Sequence, residues 1–153
     1  MKSKGLLVFT LTLVFGLSST SYSTAAPKSM NNDFKSMPEL LAAMKSRGIV
    51  CEKYEKTPAE LVIEEGKCQF QGVEILIDLW KKGVSTKEFA KGMTGIPKVN
   101  IEYEVWPKGS KIFAFYMKNY NFSINGIAPD VAKSEKVAKL WKKKLGVPYL
   151  IGS

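Results

Sequence analysis

A chain of 153 residues, 45% of them hydrophobic, is long enough for one domain with an ordinary core. It carries 23 basic against 14 acidic residues, a net charge of +9, and no histidine. The missing histidine removes the usual general base, the Ser–His and Cys–His nucleophile pairs and the commonest zinc ligand. Two cysteines alone do not make an ordinary structural zinc site. The chain has no glycine-rich phosphate loop and no dinucleotide fingerprint. Neither a metal nor a cofactor is expected.

Residues 1–25 read as a secretory signal peptide. Lys2 and Lys4 supply a positive start. Leu6 to Leu17 form an apolar run well short of the ~20 residues that span a bilayer. Ser18 to Ala26 is small and polar, and Ser23 and Ala25 fit the −3 and −1 positions of a cleavage site. Pro27 disfavours a cut after Ala26, so the mature chain is expected to begin at Ala26, outside the cytoplasm. No cysteine near the cut offers a lipid-attachment point, and no later segment is long and apolar enough to cross a membrane. The mature chain keeps 21 basic and 14 acidic residues, a charge of +7. That balance suits anionic partners such as cell-wall polymers, lipid headgroups or, less expected here, nucleic acid, and it also serves solubility.

Residues 26–35 are polar and read as a flexible arm; residues 36–153 read as a single domain. Ser36 and Glu39 have the spacing of a capping box, with Pro38 in the first turn and Gly48 at the exit, which predicts a helix over Met37–Arg47. Ile49–Tyr54 is expected as a short strand and Glu55–Pro58 as a turn; Ala59–Glu65 reads as a strand from the alternation of Leu61 and Ile63, with a short helix opened by Pro58 as the other reading. Lys67–Trp80 is the strongest β signal: two strands about a tight turn at Gln71-Gly72, with Val73, Ile75, Ile77 and Leu79 on one side. Ser85 and Glu88 form a second capping box, opening a short helix with Phe89 and Met93 inward. Val99–Val105 alternates as a strand, and Trp106-Pro107-Lys108-Gly109 reads as a type I turn. Lys111–Met117 and Tyr120–Asn125 are two further strands of an antiparallel meander. Pro129–Leu145 is a helix burying Val131, Ala138, Trp141 and Leu145, stopped by Gly146 and Pro148. Tyr149, Leu150 and Ile151 form an apolar tail suited to packing back on the sheet. The expected fold is α+β: one antiparallel sheet with about three helices on one face.

An exported chain meets oxidants, so Cys51 and Cys68 are expected to pair. Chain-entropy bookkeeping for a loop of that length gives about 3 kcal/mol.

The final helix carries Lys133, Lys136, Lys139, Lys142, Lys143 and Lys144. Lys136, Lys139 and Lys143 share a stripe, which is either a solvated face complementing the helix's negative end or a contact patch for a polyanion. Trp80 and Trp106 fall on the polar side of their strands and are the aromatic ligand-contact candidates. The aromatic run of Tyr103, Phe113, Phe115, Tyr116, Tyr120 and Phe122 reads as core rather than as a nucleic-acid stacking platform. The carboxylate pairs Glu74/Asp78 and Glu102/Glu104 each share one face of a strand and read as solvated positions; the i, i+2 spacing of Glu102 and Glu104 meets the distance of a hydrolytic pair by default, so it signals little. No residue is assigned as catalytic.

Several of these features together resemble small exported or lipid-anchored actinobacterial proteins of unknown function. The shared outline is an early helix ending in Gly48-Ile49-Val50-Cys51, a second Cys, a hairpin from Gly72-Val73-Glu74 to Trp80, an Asn119-Tyr120-Asn121-Phe122 strand and a last helix ending in Leu145-Gly146. The chain departs from it in its lysine richness and in lacking a lipid-attachment cysteine. The resemblance implies a bridged α+β domain at the cell envelope and no activity. The function expected from the whole is a non-enzymatic, exported binding module for an anionic polymer or a protein partner. A secreted inhibitor anchored by the two tryptophans is an alternative, a carboxylate-based hydrolase a weaker one. An intact mass of the exported protein matching a chain that starts at Ala26 is the expected result; a retained Met1 would overturn the cleavage.

Overall fold

The computed structural model describes residues 29–93 and 107–152. The signal sequence, the Val99–Val105 strand, Glu102, Glu104 and Trp106, and the side chains of Phe89 and Met93, lie outside the described residues. The elements run α1 (Met37–Ser46), β1 (Glu52–Thr57), β2 (Glu64–Phe70), β3 (Val73–Leu79), α2 (Thr86–Met93), β4 (Lys111–Tyr116), β5 (Tyr120–Gly126), α3 (Val131–Leu145) and β6 (Leu150–Gly152). The strands form one antiparallel sheet in the order β1-β2-β3-β5-β4-β6.

The hairpin expected at Gln71-Gly72 is present: β2 and β3 pair from Phe70↔Val73 to Glu64↔Leu79. Gln71 and Gly72 take φ values of 52° and 69°, and two successive positive φ angles give the turn whose twist suits a two-residue hairpin loop. Cys68 on β2 is bridged to Cys51, with Cα atoms 5.5 Å apart.

Pleating does the rest. Ile77, Phe122 and Phe115 are register partners across β3, β5 and β4, as are Ile75, Ile124 and Phe113. All six are fully buried, on one face. Trp141 of α3 stands over this face, its ring centroid 5.2 Å from Phe122, 5.6 Å from Phe70 and 6.1 Å from Phe115. Met37, Leu40 and Met44 of α1 enter the same core. Each large side chain sealed here contributes about 1.5–3 kcal/mol. Tyr54 lays its ring over Gly66 of β2, where a Cβ would collide with it.

Several local expectations are corrected. The loop at 117–119 joins a true β4–β5 hairpin, but β5 rather than β4 lies against β3. Since β5 is antiparallel to both, β3 and β4 run parallel, and a parallel pair needs a long crossover, which the chain through α2 provides. The first strand is shifted to Glu52–Thr57, displacing the turn expected at Glu55–Pro58. Ile49 is instead taken into the core, and Lys53, at φ 51°, marks a bulge between Glu52 and Glu55. The segment before Glu64 is irregular, and Leu61 is 85% exposed, so its alternation with Ile63 had nothing to pack against. Ser36 makes no side-chain cap; Glu39 accepts from the Lys35 N–H instead, at 3.0 Å. The turn before β4 starts at Pro107, whose carbonyl accepts from the Ser110 N–H, and Gly109 at φ 93° takes the position that demands a positive angle. The Tyr149–Ile151 tail is seated edgewise as β6 on β4, leaving Leu150 and Ile151 more than half exposed.

The segment expected to be a flexible arm is tied down over its described part. The Met30 N–H donates to the Leu145 carbonyl, and the Tyr120 hydroxyl donates to the Met30 carbonyl at 2.8 Å. Burial raises the pKa of that hydroxyl. Asn119 holds the rest: its Nδ2 donates to the carbonyls of Phe34 and Trp80, and its Oδ1 accepts from the Phe34 N–H. Thr86 cages the same loop, accepting from the Met117 N–H at 3.0 Å and donating to the Tyr120 carbonyl at 2.9 Å. Asn119 is fully buried, so Asn119→Ala strands several polar partners at once. A loss of more than about 3 kcal/mol in urea unfolding is expected; a loss under about 1 kcal/mol would show that water replaces the amide.

Candidate functional site

Two surfaces emerge, on opposite sides of the sheet. The first is α3. Its sequence VAKSEKVAKLWKKKL buries Ser134, Val137, Ala138, Trp141 and Leu145, a spacing that fills one helical face. The same period leaves Lys136, Lys139, Lys142 and Lys143 exposed. The six lysines do not share one role. Lys133 Nζ donates to the Gly72 carbonyl at 3.0 Å, fastening the helix to the hairpin turn. Lys144 Nζ donates to the Arg47 carbonyl at 3.1 Å, and Arg47 Nη1 donates to the Lys144 carbonyl at 3.0 Å, so the C-terminal ends of α1 and α3 cap each other. Lys139 pairs with Glu135 at 2.7 Å, and that hydrogen bond and charge pull the Glu135 carboxyl below its ordinary value. Of the expected stripe, Lys136 and Lys143 therefore extend into solvent while Lys139, between them, is engaged. Lys142 joins them on the exposed side.

The second surface is the sheet's outer face. Thr57, Glu65, Asp78, Asn121 and Tyr116 are successive register partners across β1, β2, β3, β5 and β4. Thr57 Oγ1 donates to Glu65 Oε1 at 2.9 Å, and Asn121 Nδ2 donates to Asp78 Oδ2 at 2.6 Å. Trp80 Nε1 closes the row by donating to Asn121 Oδ1 at 2.8 Å. Trp80, expected as a partly exposed aromatic, is half-buried, with its ring held by the edge. Asn121 lies in a glycosylation-type triplet, but both its amide atoms are engaged at the start of β5. Asp78, expected to be solvated, is half-buried; Glu74, two turns of the pleat back, is exposed. Burial raises the Asp78 pKa, the Asn121 hydrogen bond partly opposes this, and the Glu65 charge adds to the rise.

The arrangement does not bring Trp80 together with the α3 lysines, because α3 packs on the face of Phe122 and Trp80 bonds a side chain on the other. Sequence reasoning missed Asn121 and Asn119, which alternation marked only as polar positions. It also missed a cavity of about 640 Å³ where α2, β4, β6 and the segment at Met30 meet. Among the described residues no group of His, Cys, Asp and Glu is arranged to hold a metal ion, and no helix is long and apolar enough to cross a membrane. Comparison with protein families, curated proteins and solved structures gives no match.

A carboxyl whose folded pKa is raised costs stability when ionised. That cost is fully present above the raised pKa and fades as pH falls towards the ordinary value of 3.8. Asp78→Asn keeps an oxygen for Asn121 and removes the charge. It should melt above the parent at pH 7, with the gap closing as pH approaches that value. A melting temperature below the parent's at pH 7 would show that the charge itself holds the row together.

Proposed function

We propose that the protein is an exported, non-catalytic binding module that engages an anionic envelope polymer through the exposed side of α3. The observation that carries this reading is the division of labour on that helix. Lys136, Lys142 and Lys143 are spared from internal contacts among the described residues while Lys133, Lys139 and Lys144 are engaged. A polyanion gains by neutralising clustered charge and releasing counterions, and it needs no pocket. The Cys51–Cys68 bridge suits an oxidising compartment, in keeping with the leader-like start of the chain. A place at the envelope also accords with the resemblance to exported actinobacterial proteins.

Long-chain polyphosphate serves as the probe. The triple variant Lys136→Gln, Lys142→Gln, Lys143→Gln should weaken binding by about tenfold or more at low salt. The slope of log K against log salt should fall by about two, since each phosphate that a lysine neutralises on a single strand adds ~0.7 to it. A charge-matched control, Lys53→Gln, Lys81→Gln, Lys82→Gln, should change affinity by less than about threefold. Equal losses in both variants would reduce the effect to bulk charge and overturn the assignment to α3. Binding that persists unchanged at high salt would favour an apolar protein contact instead.

A further inference from the structure

The cavity of about 640 Å³ falls within the ~300–1,000 Å³ typical of small-molecule sites. It opens at a corner of the sheet that β6 leaves short: β6 pairs with β4 only from Ile112 to Ala114, so β4 continues past the end of its partner. Its apolar wall is Met30, Ala90, Ala114, Met117, Val147 and Leu150. Tyr116 is the one aromatic side chain on the lining among the described residues; the rest of the wall is aliphatic, and its two methionines are unbranched, adaptable side chains that can follow a flexible chain. Lys87 and Lys118 also line the space, and no acid does among the described residues. The two lysines are brought to one corner by the Thr86 N–H, which donates to the Lys118 carbonyl at 2.8 Å. Both are exposed, and neither makes an ion pair among the described residues.

We propose that this cavity binds a single-chain amphiphile with an anionic head, of the long-chain carboxylate class. The hydrocarbon chain lies along the methionine and alanine wall, and the head sits between Lys87 and Lys118. The site is separate from the lysines of α3, so it stands or falls independently of polyanion binding.

Isothermal titration with dodecanoate below its aggregation concentration tests this, with hexanoate and dodecanol as controls for chain and head. Saturable binding of dodecanoate is expected, with hexanoate and dodecanol each weaker by about tenfold or more. Lys87→Gln with Lys118→Gln should weaken dodecanoate by about tenfold. Leu150→Glu, at a position 54% exposed and so tolerant of a polar group, should abolish binding while circular dichroism melts confirm the fold. The α3 triple variant should bind dodecanoate as the parent does, and polyphosphate should not displace it. Absence of saturable dodecanoate binding would overturn the proposal, as would affinity unchanged in both cavity variants. Flotation with phosphatidylglycerol vesicles distinguishes a membrane source: vesicle binding without binding of the free carboxylate would overturn the cavity in favour of a surface contact.

Discussion

Trp141 packed over Phe122 is the contact on which the rest of the molecule depends. It joins the helical layer to the middle of the sheet, where β5 lies between β3 and β4. Once that face is committed to Trp141, pleating sends every alternate residue of β3 and β5 to the far side. Asp78 and Asn121 are there for no other local reason. The helical period acts likewise on α3: burying Val137, Ala138, Trp141 and Leu145 turns Lys136, Lys142 and Lys143 outward. Both candidate surfaces are therefore consequences of a single packing choice, and they must lie on opposite sides. The indole N–H of Trp141 has no partner in this core among the described residues. Ring packing on three aromatic neighbours outweighs that loss, since an unmade hydrogen bond costs about 1–3 kcal/mol while truncating such a side chain costs about 3–5 kcal/mol.

A second constraint acts on backbone rather than side chains. The short loop between β4 and β5 is fastened from outside: Thr86 Oγ1 accepts from the Met117 N–H and donates to the Tyr120 carbonyl, and the N–H groups of Thr86 and Trp80 donate to the carbonyls of Lys118 and Asn119. Asn119 at the same time draws in Phe34, and Phe34 meets Tyr120 edge-on at 5.1 Å between centroids. The N-terminal segment is thereby part of the domain, and it supplies Met30 to the wall of the corner cavity.

What the sequence disclosed follows from how local each feature is. The β2–β3 hairpin, α1, β5 and α3 are marked by strict periodicity bounded by glycine or proline. The structure places α1, β5 and α3 within two residues of their expected limits and centres the hairpin on the expected turn. The disulfide was read from two cysteines and the expectation of an oxidising compartment. The strand order was not legible, because nothing in β4 or β5 alone says which of them will meet β3; the crossover decides it. The ordering of the arm was hidden because Met30 and Phe34 are lone apolar residues in a polar run, without a period to expose their burial. The lysines of α3 were half legible: spacing placed Lys136, Lys139 and Lys143 together, and the i,i+4 spacing of Glu135 and Lys139 was there to be read, but the distant carbonyls that engage Lys133 and Lys144 depend on three-dimensional neighbours.

Charge is also segregated in a way that the net value hides. The hairpin side of the sheet carries Glu52, Glu55, Glu64, Glu65, Glu74 and Asp78, partly offset by ion pairs from Lys56 and Lys67. The exposed side of α3 carries lysines with a single acid among them. A protein with this distribution has a field that is positive at one end and close to neutral or negative at the other, and such a field orients a charged partner before contact. For an anionic chain, approach along α3 is attractive while approach over β1 and β2 is not. The same asymmetry leaves the corner between Lys87 and Lys118 locally positive, since the acids of the first hairpin lie across the sheet from it. Segregation of charge thus leaves lysines without ion-pair partners, among the described residues, in two separate places: the exposed side of α3 and the corner cavity.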